Sequence, residues 1–469
     1  MNKLLEYKGI WWLPENQERK IAGTLRFIPE VGPILELIGS FWDLPDLHKV
    51  AGPEIILGTS DNGKKITLFK YNGRKDEISW PGLQVTTIKM KVVFIGYHFI
   101  KREDLVFDSI SINYSYLNEW YAENPFSVEW NLPKSYKLLY KCHEPVIIEL
   151  EEFKISLEPE FSAAYRKVNN FNIKYLIYLK IEGNKKHYFE DLIIFIEKLR
   201  DFISLGVKRP IYPNIIKVRT DKNVRLMQDG TEINPLIEVF FNIGNRELQE
   251  KTLIPSDMLF SFNDIKHQFK NCLEKWIEIE DLLKPVKNLY FGTSYNPRMY
   301  LEDKFLNLIQ ALETYHKRKF KESFSIKPED YKKVLEKILE VIPSEYKNHF
   351  ENKLEYAYES TLRTRIKGII EHNSDIVKLF LTNNREKKSF INKVIQTRNY
   401  LTHYDEKLKE KAAKGEELYW LTQKLKILIE IVLMREIGLD SEVIVNSLTR
   451  NTEYQEIFIG KLKAKQKIH

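Results

Sequence analysis

The sequence predicts an α+β chain in two parts: an antiparallel β-rich N-terminal region of sandwich or barrel type, followed by an all-α bundle. Three observations predict this. The first half consists of short apolar runs in strand-like alternation, punctuated by Gly, Pro and Asn. From about Asp257 onward the apolar spacing becomes that of amphipathic helices. Apolar residues make up 43% of the 469 residues and aromatics 13%, enough to build a core in each part and too many for a disordered chain. The expected domains are residues 1–254 and 255–469. That boundary rests on the change of period alone, because no low-complexity linker and no internal repeat marks it.

The strands follow one another at short spacing. "KIAGTLRFIP" and "PILELIGSF" are apolar runs separated by a Gly/Pro break, and "EIILGTSDNGKKITLFKY" is two strands around D-N-G, a hairpin signal. "TTIKMKVVFIGYHF", "DSISINYSYL" and "PVIIELEEFKISLEP" continue the alternation, and "NIKYLIYLKIEG" closes it. One helix interrupts near 187–205, with Phe189, Leu192, Ile193, Ile196 and Leu199 on one stripe. In the second part "DIKHQFKNCLEKWIEIEDLL" reads as a helix stopped by Pro285, and "YLEDKFLNLIQALETYHKRKF" as a long helix. Pro328 opens the next, where proline suits a first turn, and Pro343 ends it. Further helices are expected over Ser344 to Glu371, Ser389 to Tyr404 and Glu417 to Ile437. A lysine-rich spacer, "DEKLKEKAAKGEE", precedes the last, and the tail carries Lys461, Lys463, Lys465 and Lys467.

Bulk properties narrow the function classes. A net charge of +7 leans toward a polyanionic partner without specifying one. Two distant cysteines, Cys142 and Cys272, make no disulfide framework and fit a reducing cytosol. There is no signal-peptide pattern and no run of about 18 apolar residues. The expectation is a soluble, cytoplasmic protein without a membrane segment.

Two motifs fail on inspection. Gly58, Gly63 and Lys64 match phosphate-loop spacing, but Lys65 stands where a magnesium-binding Ser or Thr belongs, and a strand follows where a helix is required. Cys142-His143 has no partner pair at a zinc spacing, so no metal site and no cofactor are expected.

"FINKVIQTRNYLTHYD" is more informative. On a helix, Phe390, Ile391, Val394, Ile395 and Leu401 form one apolar wedge, and Arg398 projects from its middle. A guanidinium there is costly unless it is paired or faces an anion. It is either a structural ion pair or a phosphate ligand, whose oxygens suit the planar fork of arginine. His403 lies about one and a half turns on, and Asn399 shares its face at i, i+4. An anion binder, a proton-transfer group and an amide therefore sit within about 8 Å along one axis. On the earlier "LETYHKR" helix, Leu301, Phe305, Leu308, Ile309 and Leu312 form the buried stripe, with Glu313 at its edge and Lys317 one turn later. Glu313 and Lys317 are either an exposed pair, or Glu313 holds Arg398 or the basic residue behind it. In the latter case Lys317 and Arg318 add charge for phosphates.

Together these residues resemble the HEPN superfamily of small helical domains. Its ribonuclease members carry Arg-x4–6-His, often with Asn directly after Arg, and many carry Glu-x3-Lys-Arg on an earlier helix. Arg398-Asn399 and His403 match the first pattern, and Glu313, Lys317 and Arg318 match the second. With "YKGIWWLPENQERKIAGTLRFIPEVGPILELIGSF" included, nearly the whole chain is similar to the ApeA type of bacterial anti-phage abortive-infection protein. The resemblance implies metal-independent RNA cleavage: the ribose 2′-OH attacks the adjacent phosphate, leaving a 2′,3′-cyclic phosphate and a 5′-OH. His403 would be the general acid/base, Arg398 would stabilise phosphate charge, and Asn399 would orient His403 or the phosphate. Glu313 would belong to the catalytic set, and Lys317 and Arg318 to RNA binding. It also implies a homodimer through the HEPN domain, each subunit supplying one Arg and one His to a composite cleft, and a phage-derived trigger for the N-terminal region. Some family toxins place Tyr two residues after the His, where it can be modified; here that residue is Asp405, with Tyr404 adjacent to the His. The alternative is a non-catalytic HEPN protein that dimerises or binds nucleotide or RNA.

Overall fold

The computed structural model describes residues 4–43, 51–131, 135–167, 170–242, 252–320 and 326–458. The lysines expected in the tail lie outside these residues. The chain divides into two compact units, one of residues 1–203 and 211–253, the other of 204–210 and 254–469.

In the first unit six strands close into an antiparallel barrel. They are β1 (Leu5–Leu13), β2 (Asn16–Ile28), β3 (Gly32–Ile38), β4 (Ile55–Ser60), β5 (Lys65–Ile78) and β6 (Gln84–Ile95). The order around the barrel is β1-β2-β3-β6-β5-β4, and β4 returns to pair with β1. Closure removes the free edges that an open sheet exposes. Trp11 fills the interior, fully buried, with its indole N–H donating to the Gly23 carbonyl at 3.2 Å. A Cβ at Gly58 would lie 2.2 Å from the Trp11 ring. The first glycine of the phosphate-loop look-alike therefore makes room for a tryptophan. Gly63, at φ +78°, makes the turn between β4 and β5.

The sheet extends from the barrel because β6 is long: its last residues also pair with a strand from much later in the chain. In chain order come β7 (Val106–Tyr114), the one-turn α1 (Leu117–Tyr121), the ribbon β8 (Phe126–Asn131) with β9 (Ser135–Tyr140), β10 (Val146–Glu149), β11 (Phe153–Lys167) and β12 (Asn170–Tyr188). Helix α2 (Phe189–Val207) is followed by β13 (Pro213–Arg219), the short pair β14 (Arg225–Leu226) and β15 (Glu232–Ile233), and β16 (Ile237–Phe241). From β6 the extension runs β16-β13-β7-β12-β11-β10. Phe94, Phe99, Phe107 and Phe189 form a cluster of edge-to-face contacts, with Phe94 and Phe107 stacked, at centroid distances of 5.0–6.1 Å, locking the start of α2 to β6 and β7.

The second unit is helical: α3 (Phe262–Ile265), α4 (Phe269–Glu278), α5 (Glu280–Tyr295), α6 (Leu301–Lys319), α7 (Pro328–Glu340), α8 (Ser344–Leu354), α9 (Leu362–His372), α10 (Ser374–Val377), α11 (Asn384–His403), α12 (Gly415–Glu436) and α13 (Ser441–Arg450). The α+β order expected from the change of period holds. Helix α12 is apolar on every side between Ile427 and Met434, Glu430 apart, and runs through the interior. Its one charge there, the fully buried Glu430, accepts from the Tyr290 hydroxyl at 2.7 Å and from the Tyr454 hydroxyl. Residues 204–210 belong to this unit. There Lys208 donates to the Asn451 amide oxygen at 3.0 Å and pairs with Glu453 at 2.5 Å, and burial pushes its ammonium down to about 8.

Two helix expectations need correction. The span Ser344 to Glu371 is not continuous: α8 ends at Leu354, and Thr361 starts α9 by accepting from the Thr364 N–H. The helix expected to stop at Pro285 instead breaks at Ile279, and Pro285 lies inside α5. Proline at 285 leaves the Asp281 carbonyl without its N–H partner. The Arg318 guanidinium replaces it, donating to the Asp281 carbonyl at 2.8 Å and to that of Leu282 at 3.3 Å. Arg318→Ala should therefore cost about 1 kcal/mol, and that cost should shrink in a Pro285→Ala background, where the restored N–H serves Asp281. A double-mutant cycle on thermal melts checks this, and equal losses in both backgrounds would refute it.

Candidate active site

Helix α11 begins at the Asn383 cap, whose side chain accepts from the Glu386 N–H at 2.9 Å, while the Glu386 carboxylate accepts from the Thr382 N–H at 2.9 Å. Its core face is Phe390, Ile391, Val394 and Thr397. Thr397 is fully buried and its hydroxyl accepts from the Ala413 N–H at 2.9 Å, and Lys393 donates to the Lys411 carbonyl at 3.1 Å. These two bonds pin the chain that returns toward α12 beside the end of α11.

The helix ends at His403, which is exposed. Tyr404 terminates it in the left-handed region at φ 52°, its N–H donating to the Tyr400 carbonyl at 2.6 Å. Arg398 and Asn399 are half-buried. The Arg398 Nη1 donates to the Asn399 Oδ1 at 3.2 Å, and no carboxylate of the described residues lies within ion-pair distance of the guanidinium. Asn399 and His403 lie about 40° apart around the helix, and Arg398 about 100° from Asn399. The carboxamide thus spans from the arginine's flank to the histidine's face. The sequence expected Asn399 to orient His403 or the phosphate; here its partner is Arg398.

The family model for ApeA N-terminal domain 1 matches residues 6–276, more than half of the chain. The chain belongs to the ApeA family. An Apea-like HEPN model matches residues 306–443, from within α6 to the start of α13, so the Arg398–His403 stretch lies in the HEPN portion. Searches of curated proteins and of solved structures gave no match.

Within the ApeA HEPN portion, α9 packs against both α6 and α11. Glu313, at the edge of α6, does not pair with Arg398. Its carboxylate lies 4.0 Å from the Nε of Arg365 on α9, a residue the sequence reading did not single out. Arg365 is buried, donates to the Ser360 carbonyl at 2.8 Å and pairs with Glu359 at 2.8 Å. Lys317 pairs with the same Glu359 at 2.9 Å rather than with Glu313. Of the two basic residues expected on RNA, Lys317 is thus engaged by Glu359 and Arg318 by the carbonyls of α5, although both are exposed. The Glu-x3-Lys-Arg residues tie α6 to α5, to α9 and to the α8–α9 connection. The signal for Arg365 was present in the sequence: it immediately precedes Ile366, with Ile369 and Ile370, on an apolar stripe.

Among the described residues no helix is long and apolar enough to cross a membrane. Cys142 is exposed, and the neighbouring His143 lies 3.6 Å from Glu123.

Proposed function

We propose that this ApeA-family chain is a bacterial anti-phage effector whose HEPN domain cuts RNA without a metal. The observation that carries the reading is Arg398: a half-buried guanidinium with no carboxylate partner among the described residues, held by Asn399, five positions before an exposed histidine. HEPN domains commonly dimerise and act on RNA, which supports a composite cleft built from two copies. In that cleft the His403 imidazole of one copy takes the 2′-OH proton as the oxygen attacks phosphorus. The P–O5′ bond breaks, and the imidazole of the other copy protonates the leaving oxygen. Arg398 stabilises the charge on the non-bridging oxygens. Glu313 acts through Arg365, setting α9 and hence α11. The N-terminal unit responds to a phage-derived trigger, in the cytoplasm of the infected cell.

Cleavage should persist in chelator and leave 2′,3′-cyclic phosphate ends, and RNA with a deoxyribose at the cut should resist. End analysis of cut RNA tests this. Ends bearing a 3′-OH, or activity abolished by EDTA and restored by magnesium, would overturn the mechanism. RNA binding without any cleavage would favour a non-catalytic HEPN binding protein.

A further inference from the structure

Resting on the nuclease reading above, we infer that α11 and α9 form a track for the backbone of single-stranded RNA, with Arg363, Arg385 and Lys388 as its phosphate contacts. On α11, Arg385, Lys388, Asn392, Gln396, Asn399 and His403 fall within about 80° of arc, so one polar stripe leads without interruption to the candidate acid/base. It is about 27 Å long at helical rise, enough for several nucleotides. Helix α9 adds to it: the exposed Arg363 donates to the Asn392 Oδ1 at 2.5 Å, which lays a guanidinium across the middle of the stripe.

Charge balance separates these three cations from a merely solvated face. Lys393, Lys409 and Lys414 are each held by a glutamate, at 3.0, 3.1 and 3.3 Å. Arg363, Arg385 and Lys388 have no carboxylate within ion-pair distance among the described residues. These three uncompensated cations lie in line with His403, where a polyanion lowers their cost most, whereas Lys387, also without a carboxylate partner among the described residues, falls on the opposite face of α11 and outside the track. The stripe is one helix face wide with a single flanking arginine, which suits one backbone rather than the two of a duplex. Asn392, Gln396 and Asn399 are half-buried along the stripe and offer amides to a sugar or base edge.

The test compares full-length wild type with the triple variant Arg363→Gln, Arg385→Gln, Lys388→Gln and with the charge-keeping triple Arg363→Lys, Arg385→Lys, Lys388→Arg. Binding is measured on an unstructured 2′-O-methyl RNA, which 2′-OH attack cannot cut, across a salt series. Cleavage of the matching unmodified RNA gives KM and kcat separately. At about 0.7 counterions per phosphate contact, the glutamine triple should bind on the order of 50-fold more weakly near 0.15 M salt, with a salt slope shallower by about 2. Its KM should rise in step while kcat holds, and the charge-keeping triple should behave as wild type. Unchanged binding and salt slope in the glutamine triple would overturn the track, as would a fall in kcat without a rise in KM. If the glutamine triple melts early, the three single glutamine variants replace it, each expected to lower the salt slope by about 0.7. Wild type that binds through these cations but cuts nothing would defeat the nuclease reading and leave the track standing. Wild type that cuts normally, with binding indifferent to them, would defeat the track alone.

Discussion

Replacing His403 with alanine should lower RNA cleavage by about 10²–10⁴-fold, the usual range for loss of a proton-transfer group. His403 is exposed and ends α11, so its loss removes no buried contact, and the variant should melt as wild type does. Arg398→Ala should be similarly severe, because charge building on the phosphate loses its donor. Arg398→Lys should rescue little, since an ammonium cannot hold Asn399 and two phosphate oxygens in one plane. Because Arg398 holds no carboxylate, its removal strands no charge and should leave stability nearly intact. Single-turnover cleavage beside a melt of each variant checks all of this. Full cutting by His403→Ala would end the assignment.

Replacing Arg365 should instead act through stability. Its guanidinium is buried beside Glu313 and Glu359, and Arg365→Ala leaves Glu313 without its cation, Glu359 with Lys317 alone, and the Ser360 carbonyl without its donor. Removing one partner of a buried pair costs about 3–5 kcal/mol; with both carboxylates partly exposed, about 3 kcal/mol is expected here. For a unit of this size that lowers the midpoint by about 6–12 °C. Glu313→Gln should cost much less, because Glu359 still holds Arg365. Equal melts for wild type and Arg365→Ala would show that the network contributes nothing.

What the sequence disclosed and what it withheld follow the range of the interactions. Alternation over "KIAGTLRFIP" is local and marks a strand, but closure of the barrel needs β4 to meet β1 across more than forty residues, and no period records that. Proline at 285 reads as a stop because its missing N–H is local. The arginine that makes it tolerable sits 33 positions later on another helix. The break between α8 and α9 was hidden because charged residues such as Glu355 and Glu359 suit a helix surface as well as a turn. The candidate site was legible because Arg398, Asn399 and His403 share one helix, so spacing alone sets their relation. The partner of Glu313 was not legible, because α9 must first fold back against α6.

The seven residues from Ser204 to Pro210, the last turn of α2 and the three residues after it, belong to the helical unit although the strands on both sides of them in the chain belong to the other. A fragment starting at Ile254 would therefore omit Lys208 and leave Glu453 without its nearest cation, with Lys426 remaining at 3.6 Å. Exchanging the N-terminal unit for that of another family member at this one junction would import a foreign heptapeptide into the helical core. Splicing that preserves the helical unit has to respect three joints, at 203/204, 210/211 and 253/254, so the two units are interleaved along the chain rather than consecutive modules.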